Sequence, residues 1–307
     1  MDRAIDLRSK CPHFRILVVG RANAGKTTLL KRVCNSVQDP EIFTPEGKRL
    51  DLAIVEGSTE RGEHNIENQL VFKSNRQFIF HDSRGFESGS ADEIQKVKDF
   101  ITARSATRKL SHQLHAIWYC IPYGHQPAAI GSRRTVLRDF WNRERHAECF
   151  VADEELMQSF LFPVPVIAIF TKFDGLIKET FNELRGRGKN ISDAKNGAPH
   201  QAQAMLTSNF IGPLNITKFR PSDFVRLDDM RMEQSDCIDL INKTAHALSD
   251  DTLRLLFVSV QQNNIDLCIA SAVTNVLRST DDDVRKLVRE AISWFPHVWA
   301  QRVSMKV

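Results

Sequence analysis

One octapeptide constrains this chain more than any other stretch: Gly20-Arg21-Ala22-Asn23-Ala24-Gly25-Lys26-Thr27. It fits the spacing G-x-x-x-x-G-K-[ST], and its flanks are those such a loop requires. Before it, Phe14-Arg15-Ile16-Leu17-Val18-Val19 is a short apolar run rich in β-branched residues, which reads as a buried parallel strand. After it, Leu29, Leu30 and Val33 share one face of a predicted helix. Strand, glycine loop and helix is the order in which a phosphate cradle forms. The glycines let backbone N–H groups curl around a β-phosphate, and the helix N-terminus adds a favourable dipole. Gly20, Arg21, Ala22, Asn23, Ala24, Gly25, Lys26, Thr27 and Thr28 would line that cradle. Lys26 would bridge the β- and γ-phosphates, and the Thr27 hydroxyl would ligate Mg²⁺.

A phosphate loop alone does not separate ATP from GTP, but two later stretches do. Gln77 to His81 reads as a strand that runs into Asp82-Ser83-Arg84-Gly85, a D-x-x-G pattern. In it the carboxylate holds Mg²⁺ through water, and the Gly85 N–H meets the γ-phosphate. Val166 to Phe170 reads as another buried strand, ending in Thr171-Lys172-Phe173-Asp174. This is similar to [NT]-K-x-D, where Asp174 would accept hydrogens from guanine N1 and N2, a pairing adenine cannot offer. Lys172 would lie along the base plane and brace the phosphate loop. Taken in this order, the motifs resemble the P-loop GTPases of the translation-factor class, the group that includes Ras and the Era-like and septin-like proteins. The resemblance covers about residues 13–180 and resumes near 250.

That resemblance implies an α/β fold: a three-layer, doubly wound, mostly parallel sheet with helical insertions. It also implies GTP, GDP and Mg²⁺ as ligands, with GTP hydrolysis coupled to switch-loop rearrangement and partner binding. Threonine replaces the commoner asparagine at Thr171, altering one amide contact toward the base or the phosphate loop. The last family motif survives loosely as Ser259-Val260-Gln261, after an expected strand from Arg254 to Val258, which would put Ser259 and Val260 at the base. A switch threonine belongs before the second strand, which reads as Glu67 to Phe72. Thr59 has the spacing, with Thr44 and Ser58 as competitors, and would join Thr27 and Asp82 on Mg²⁺.

The candidate catalytic set implied by the resemblance is Lys26, Thr59, Gly85 and Asn23. The glutamine that orients the attacking water in Ras-like enzymes is replaced by Phe86, whose ring cannot hold water. Either another group or a partner takes over, or the chain is a GTP-binding assembly scaffold that scarcely turns over. Asn23 resembles the asparagine of Era-like, potassium-dependent GTPases, where K⁺ supplies positive charge beside the phosphates. The alternative is an asparagine selected for its turn conformation. Arg61, Arg84 and His64 are either fingers and water-holders or solvated loop charges. A third class, an ATP-dependent kinase-like enzyme, would require Asp174 to be irrelevant.

At 307 residues the chain can bury one large α/β core, and its 42% apolar and 26% charged content excludes wholesale disorder. A net charge of +4, spread along the chain, is too mild to argue for nucleic-acid binding. The basic runs around Arg133, Arg143 and Arg187 read as solvated faces. Six cysteines without C-x-x-C or zinc-type histidine spacing read as free thiols in a reducing, cytoplasmic setting. The N-terminus lacks an apolar signal core, and no run approaches the length of a membrane span.

The expected organisation is an extension over 1–12 and a single G domain over 13–303, with insertions at about 122–163 and 175–250. Strands are expected near 14, 66, 77, 115, 165 and 253. Gly186, Gly188, Gly197 and Pro199 predict a broken path, followed by helices at Gln201–Met205 and around Ile238–Leu248. The second insertion is either a partner-contacting surface or padding. Val284, Leu287, Val288, Ala291 and Ile292 form the apolar face of a closing helix. The aromatic segment Trp294 to Trp299 beyond it either packs on the first strand or touches a membrane or partner. The expected partners are guanine nucleotide and a protein, or a second copy across the nucleotide face.

Overall fold

A computed structural model describes residues 2–20, 23–50, 65–83, 91–123, 164–216, 220–232, 235–261, 265–279 and 283–295. Its strands are β1 (Phe14–Gly20), β2 (Glu41–Phe43), β3 (Arg49–Leu50), β4 (Gln69–Phe72), β5 (Asn75–Asp82), β6 (Ala116–Pro122), β7 (Val166–Thr171) and β8 (Asp223–Arg226). Its helices are α1 (Asp2–Lys10), α2 (Lys26–Val33), α3 (Ala91–Ala106), α4 (Phe173–Gly186), α5 (Ile191–Leu206), α6 (Gly212–Ile216), α7 (Ile238–Ala247), α8 (Asp251–Ser259), α9 (Ile265–Arg278) and α10 (Val284–Ser293).

β1 is buried at every position, the charged Arg15 included, because both faces of the strand are covered. It pairs in parallel with β5 on one side and β6 on the other, and β7 and β8 extend the parallel set. β4, β2 and β3 add antiparallel strands beyond β5. One sheet results, in the order β3-β2-β4-β5-β1-β6-β7-β8. Helices cover both faces, giving a three-layer α/β fold with a doubly wound, mostly parallel sheet.

Alternation along β1 divides the core. Phe14, Ile16 and Val18 join Phe80 and Trp118 in a cluster that α2, α7, α8 and α9 close with Leu29, Leu240, Leu256 and Cys268. Leu17 and Val19 face the other way, where Val97, Phe100 and Ile101 of α3 meet them. A third cluster links Phe170 of β7 to Phe173 and Leu176 of α4 and to Leu206 of α5. The Trp118 indole N–H donates to Thr244 Oγ1 at 3.1 Å, so this fully buried side chain keeps its polar atom satisfied. At the opposite end of the sheet, Glu41 on β2 is nearly buried and pairs with Arg49, Arg76 and Lys73 at 3.1, 3.4 and 3.9 Å.

Five expected strands are present, the largest displacement being β4, which begins at Gln69. The sixth is a correction. Arg254 to Val258 is not a strand but the body of α8. Asp250 caps this helix, its Oδ1 accepting the N–H groups of Thr252 and Leu253 at 2.7 and 2.9 Å. Because Leu255, Leu256, Phe257 and Val258 are all buried, their sequence carries no period that separates helix from strand. The last parallel strand is β8, inside the segment expected as an insertion.

Gly197 and Pro199 do not break the chain there; both lie within α5. A Cβ on Gly197 would sit 3.4 Å from Leu184 Cδ1, an ordinary contact, so this position faces α4 without requiring glycine. Cys11, Cys34, Cys120, Cys237 and Cys268 are buried free thiols. Trp294 is buried in the same core as Phe14. Residues 124–163, with Cys149, and the aromatic stretch after Phe295 lie outside the described residues. No helix among the described residues is long and apolar enough to cross a membrane.

Replacing the α8 cap, Asp250→Ala, is expected to lower stability by about 1 kcal/mol, with Asp250→Asn retaining most of it. Urea unfolding monitored by circular dichroism measures both.

Candidate functional site

β1 lies where the chain reverses the direction in which it adds parallel strands, with β5 on one side and β6 on the other. In open parallel sheets, ligands sit outside the carboxyl ends of the strands at such a switch point. Gly20 ends β1, Asp82 ends β5 and Thr171 ends β7, so the motif residues converge on this edge.

The loop between β1 and α2 is shaped by its glycines. Gly20 adopts a φ of +156°, and a Cβ there would come 2.5 Å from the Cys120 carbonyl oxygen on β6. Asn23 and Gly25 are left-handed, with φ of 61° and 82°. Such turns bring backbone N–H groups together into an anion-binding concavity. Gly25 precedes α2 without a capping side chain, and no acidic residue occupies the first turn. The positive end of the helix dipole therefore faces outward for an anion, with Thr27 exposed and Thr28 half-buried beside it.

The Lys26 side chain is buried, its Nζ donating to the Gly20 carbonyl at 3.1 Å and lying 3.7 Å from Asp82 Oδ1. Burial pushes the Asp82 carboxyl up to about 6, although Lys26 pulls it down. Asp82 Oδ1 and Ser83 Oγ are buried and make no hydrogen bond. A buried carboxylate oxygen with the Lys26 ammonium 3.7 Å away, too long for a hydrogen bond, close to a helix start that carries a hydroxyl, matches the oxygen ligands of a hard divalent cation. Mg²⁺ therefore fits the residues present.

Thr171 couples β7 to the glycine loop. Its buried hydroxyl donates to the Ala24 carbonyl at 2.7 Å. Lys172 is left-handed, with φ of 59°, and starts α4, while Asp174 is exposed on that helix's first turn. Phe173 is buried beneath the Arg226 guanidinium, 4.6 Å from ring centre to Cζ.

Ser259 and Val260 do not belong to this edge. The Val260 carbonyl accepts from Asn75 Nδ2 at 3.1 Å, and Asn75 begins β5. That is the opposite end of the strand from Asp82, roughly 23 Å away at about 3.3 Å per residue. What flanks β7 instead is the loop after β8. Leu227 donates to the Phe170 carbonyl at 2.9 Å, and its own carbonyl accepts from the Phe173 N–H at 3.5 Å. Asp228 follows, paired with Arg226 at 3.3 Å. Burial raises the Asp228 carboxyl against the pull of Arg226, and Asp174 raises it further. Arg32 of α2 holds the same loop through the carbonyls of Met230 and Arg231, both at 3.0 Å. The signal in the sequence was slight: Phe224-Val225 between two charged residues, followed by Asp228-Asp229.

Arg21, Ala22, Thr59, Arg61, His64, Arg84, Gly85 and Phe86 lie outside the described residues, as does the competitor Ser58. Thr44 is in the β2–β3 turn, where its N–H and carbonyl bond Lys48 and Gly47.

No protein-family model matches the chain, and no curated protein does. Among solved structures, a mutant of S. thermophilus NFeoB bound to GDP is 14% identical, over 94% of this chain and 80% of that one, with a TM-score of 0.37. A probable GTP-binding protein engB is 14% identical over 76% and 98%, also with a TM-score of 0.37. Era, solved with MgGDPNP and a segment of 16S ribosomal RNA, is 16% identical over 87% and 68%, with a TM-score of 0.33. Likenesses of this size say nothing about chemistry, and the site stands on its own residues.

Two outcomes follow from this geometry. Thr171→Val leaves the Ala24 carbonyl buried without its donor and should cost about 1–3 kcal/mol in urea unfolding, with Thr171→Ser close to the parent. The folded Asp82 carboxyl titrates near 6 and its ordinary value is 3.8, so between those values the folded state holds the extra proton. This group therefore stabilises the ligand-free chain as pH falls from about 6 toward 3.8. Asp82→Asn should remove that slope, measured by thermal unfolding across the range.

Proposed function

We propose that this chain binds guanine nucleotides at the carboxyl edge of its sheet and hydrolyses GTP slowly, coupling nucleotide state to switch-loop rearrangement and partner choice. The observation that carries this reading is the Lys26 ammonium, held at the start of α2 between the Gly20 carbonyl and Asp82, at the switch point of the sheet. A buried cation, a helix N-terminus and a left-handed glycine loop together suit a polyphosphate.

Thr27 and Asp82, with Thr59, would hold Mg²⁺, which when bound neutralises charge building on the phosphate oxygens. Lys26 would share that load, and the Gly85 N–H would meet the γ-phosphate. Asp174, exposed beside the loop that follows β8, supports guanine over adenine, because a carboxylate accepts from N1–H and N2–H of guanine. Lys172 would flank the base. Asn23, exposed on the loop, supports a role for K⁺ beside the phosphates. Phe86 offers no hydrogen bond to water, which makes slow intrinsic turnover the expected behaviour.

GTP turnover by the purified chain, in KCl and in NaCl and over a range of protein concentrations, tests this reading. Turnover faster in K⁺, inhibited by GDP and not by ATP, is the expected result. Asp174→Asn should weaken GDP binding by at least roughly 100-fold, since it removes the acceptor that pairs with the base. Tight GTP binding without turnover in either salt would instead favour an assembly scaffold. ATP displacing bound GTP would overturn the guanine assignment.

A further inference from the structure

The large apolar side chains that remain exposed are not scattered evenly. Six of the eleven among the described residues lie on the α9–α10 hairpin: Ile265, Ile269, Val273 and Leu277 on α9, and Val284 and Val288 on α10. Single exposed apolar residues need no explanation, but a cluster of this kind marks an interaction surface.

On α9 the pattern is sharper than a generic patch. Ile265, Ile269, Val273 and Leu277 recur every fourth residue and form one continuous ridge, 56%, 46%, 51% and 80% exposed. The neighbouring row, also exposed, is Asp266, Ala270, Thr274 and Arg278. Its two central residues are small. The Thr274 hydroxyl donates to the Ala270 carbonyl at 2.8 Å, so its hydrogen-bonding need is met within the helix. The row is therefore a shallow groove beside the ridge, closed by an acid at one end and a base at the other. Neither Asp266 nor Arg278 has an ion-pair partner among the described residues.

We propose that this face of α9 binds the same face of a second copy of the chain, antiparallel, about a two-fold axis near its midpoint. Rows spaced by four residues on both helices interdigitate at a crossing angle of about −50°. In that arrangement the Ile269–Val273 ridge of each copy enters the Ala270–Thr274 groove of the other. The antiparallel sense brings Asp266 of each copy toward Arg278 of the other, twice by symmetry. A parallel pairing would set like charges together at both ends. An anionic lipid surface suits the α9 face less well, because the Asp266 and Arg278 charges of its row balance.

The segment that leads into this surface lies at the end of the sheet away from the proposed nucleotide edge. α8 ends at the opposite end of the sheet, where Val260 meets Asn75, and α9 begins five residues after Val260. Association through α9 uses none of the glycine-loop residues, and so differs from a dimer across the nucleotide face.

Sedimentation equilibrium of the full chain across a range of concentrations tests the proposal. A monomer–dimer equilibrium with a Kd on the order of micromolar is expected for a small helical interface. Val273→Glu should weaken it by at least roughly tenfold, since it buries an unpaired charge. The charge reversals Asp266→Arg and Arg278→Asp should each abolish dimers alone, and mixing the two variants should restore dimers as a heterodimer. All three changes are on exposed positions, and circular dichroism melts confirm that each variant folds. A monomer at every concentration would overturn the proposal, as would a dimer indifferent to the charge reversals. Monomeric chain that sediments with phosphatidylserine vesicles, and loses this with Val273→Glu, would assign the face to lipid and overturn it equally.

Discussion

A lysine ammonium taken out of water is tolerated only where other groups replace its hydration, and the edge of this sheet is organised around one such charge. Lys26 reaches the carbonyl that ends β1 and the carboxylate that ends β5. Strand register sets Val18 opposite Asp82, so β1 runs two residues past the end of β5 to the Gly20 carbonyl. Strand pairing therefore fixes where the charge can be satisfied, and the charge in turn fixes how the glycine loop leaves β1. Gly20 is indispensable to this geometry because the Cys120 carbonyl occupies the space a Cβ would need.

A circuit of hydrogen bonds carries that order outward. Thr171 ties the end of β7 to Ala24 in the loop, and the loop continues into α2. From α2, Arg32 holds the segment after β8, whose Leu227 returns to Phe170 and Phe173 at the end of β7. Arg226 closes the side of this ring, lying over Phe173, pairing with Asp228 and donating to Gln203 of α5 at 2.8 Å. The loops after β1, β7 and β8 are thus parts of one mechanical unit, although nearly 150 residues separate Ala24 from Thr171.

The parts of this unit that sequence reading reaches are those encoded locally. Glycine spacing, an apolar run before it and an amphipathic helix after it lie within twenty residues, and β7 announces itself through Val166 to Phe170. The Thr171–Ala24 bond is a long-range contact that no local pattern contains, so the threonine registers only as a departure from asparagine. α8 was misread for a different reason. Buried on all sides, Leu255 to Val258 has no polar face to reveal a helical period, and its cap at Asp250 lies outside the apolar run. β8 carries little local signal, because Asp223 and Arg226 leave only two apolar residues between them. Ser259 and Val260 followed α8 to the wrong edge of the sheet.

The strand at one margin of the sheet, β8, is short, with four residues. On β2, Glu41 is surrounded by Arg49, Arg76 and Lys73. An exposed strand is a template on which another chain can continue the ladder, and brevity with flanking charge removes the template. A sheet of this width would otherwise be a standing hazard at high concentration. Among the described residues the four-residue β8 margin leaves a second copy little ladder on which to continue the sheet.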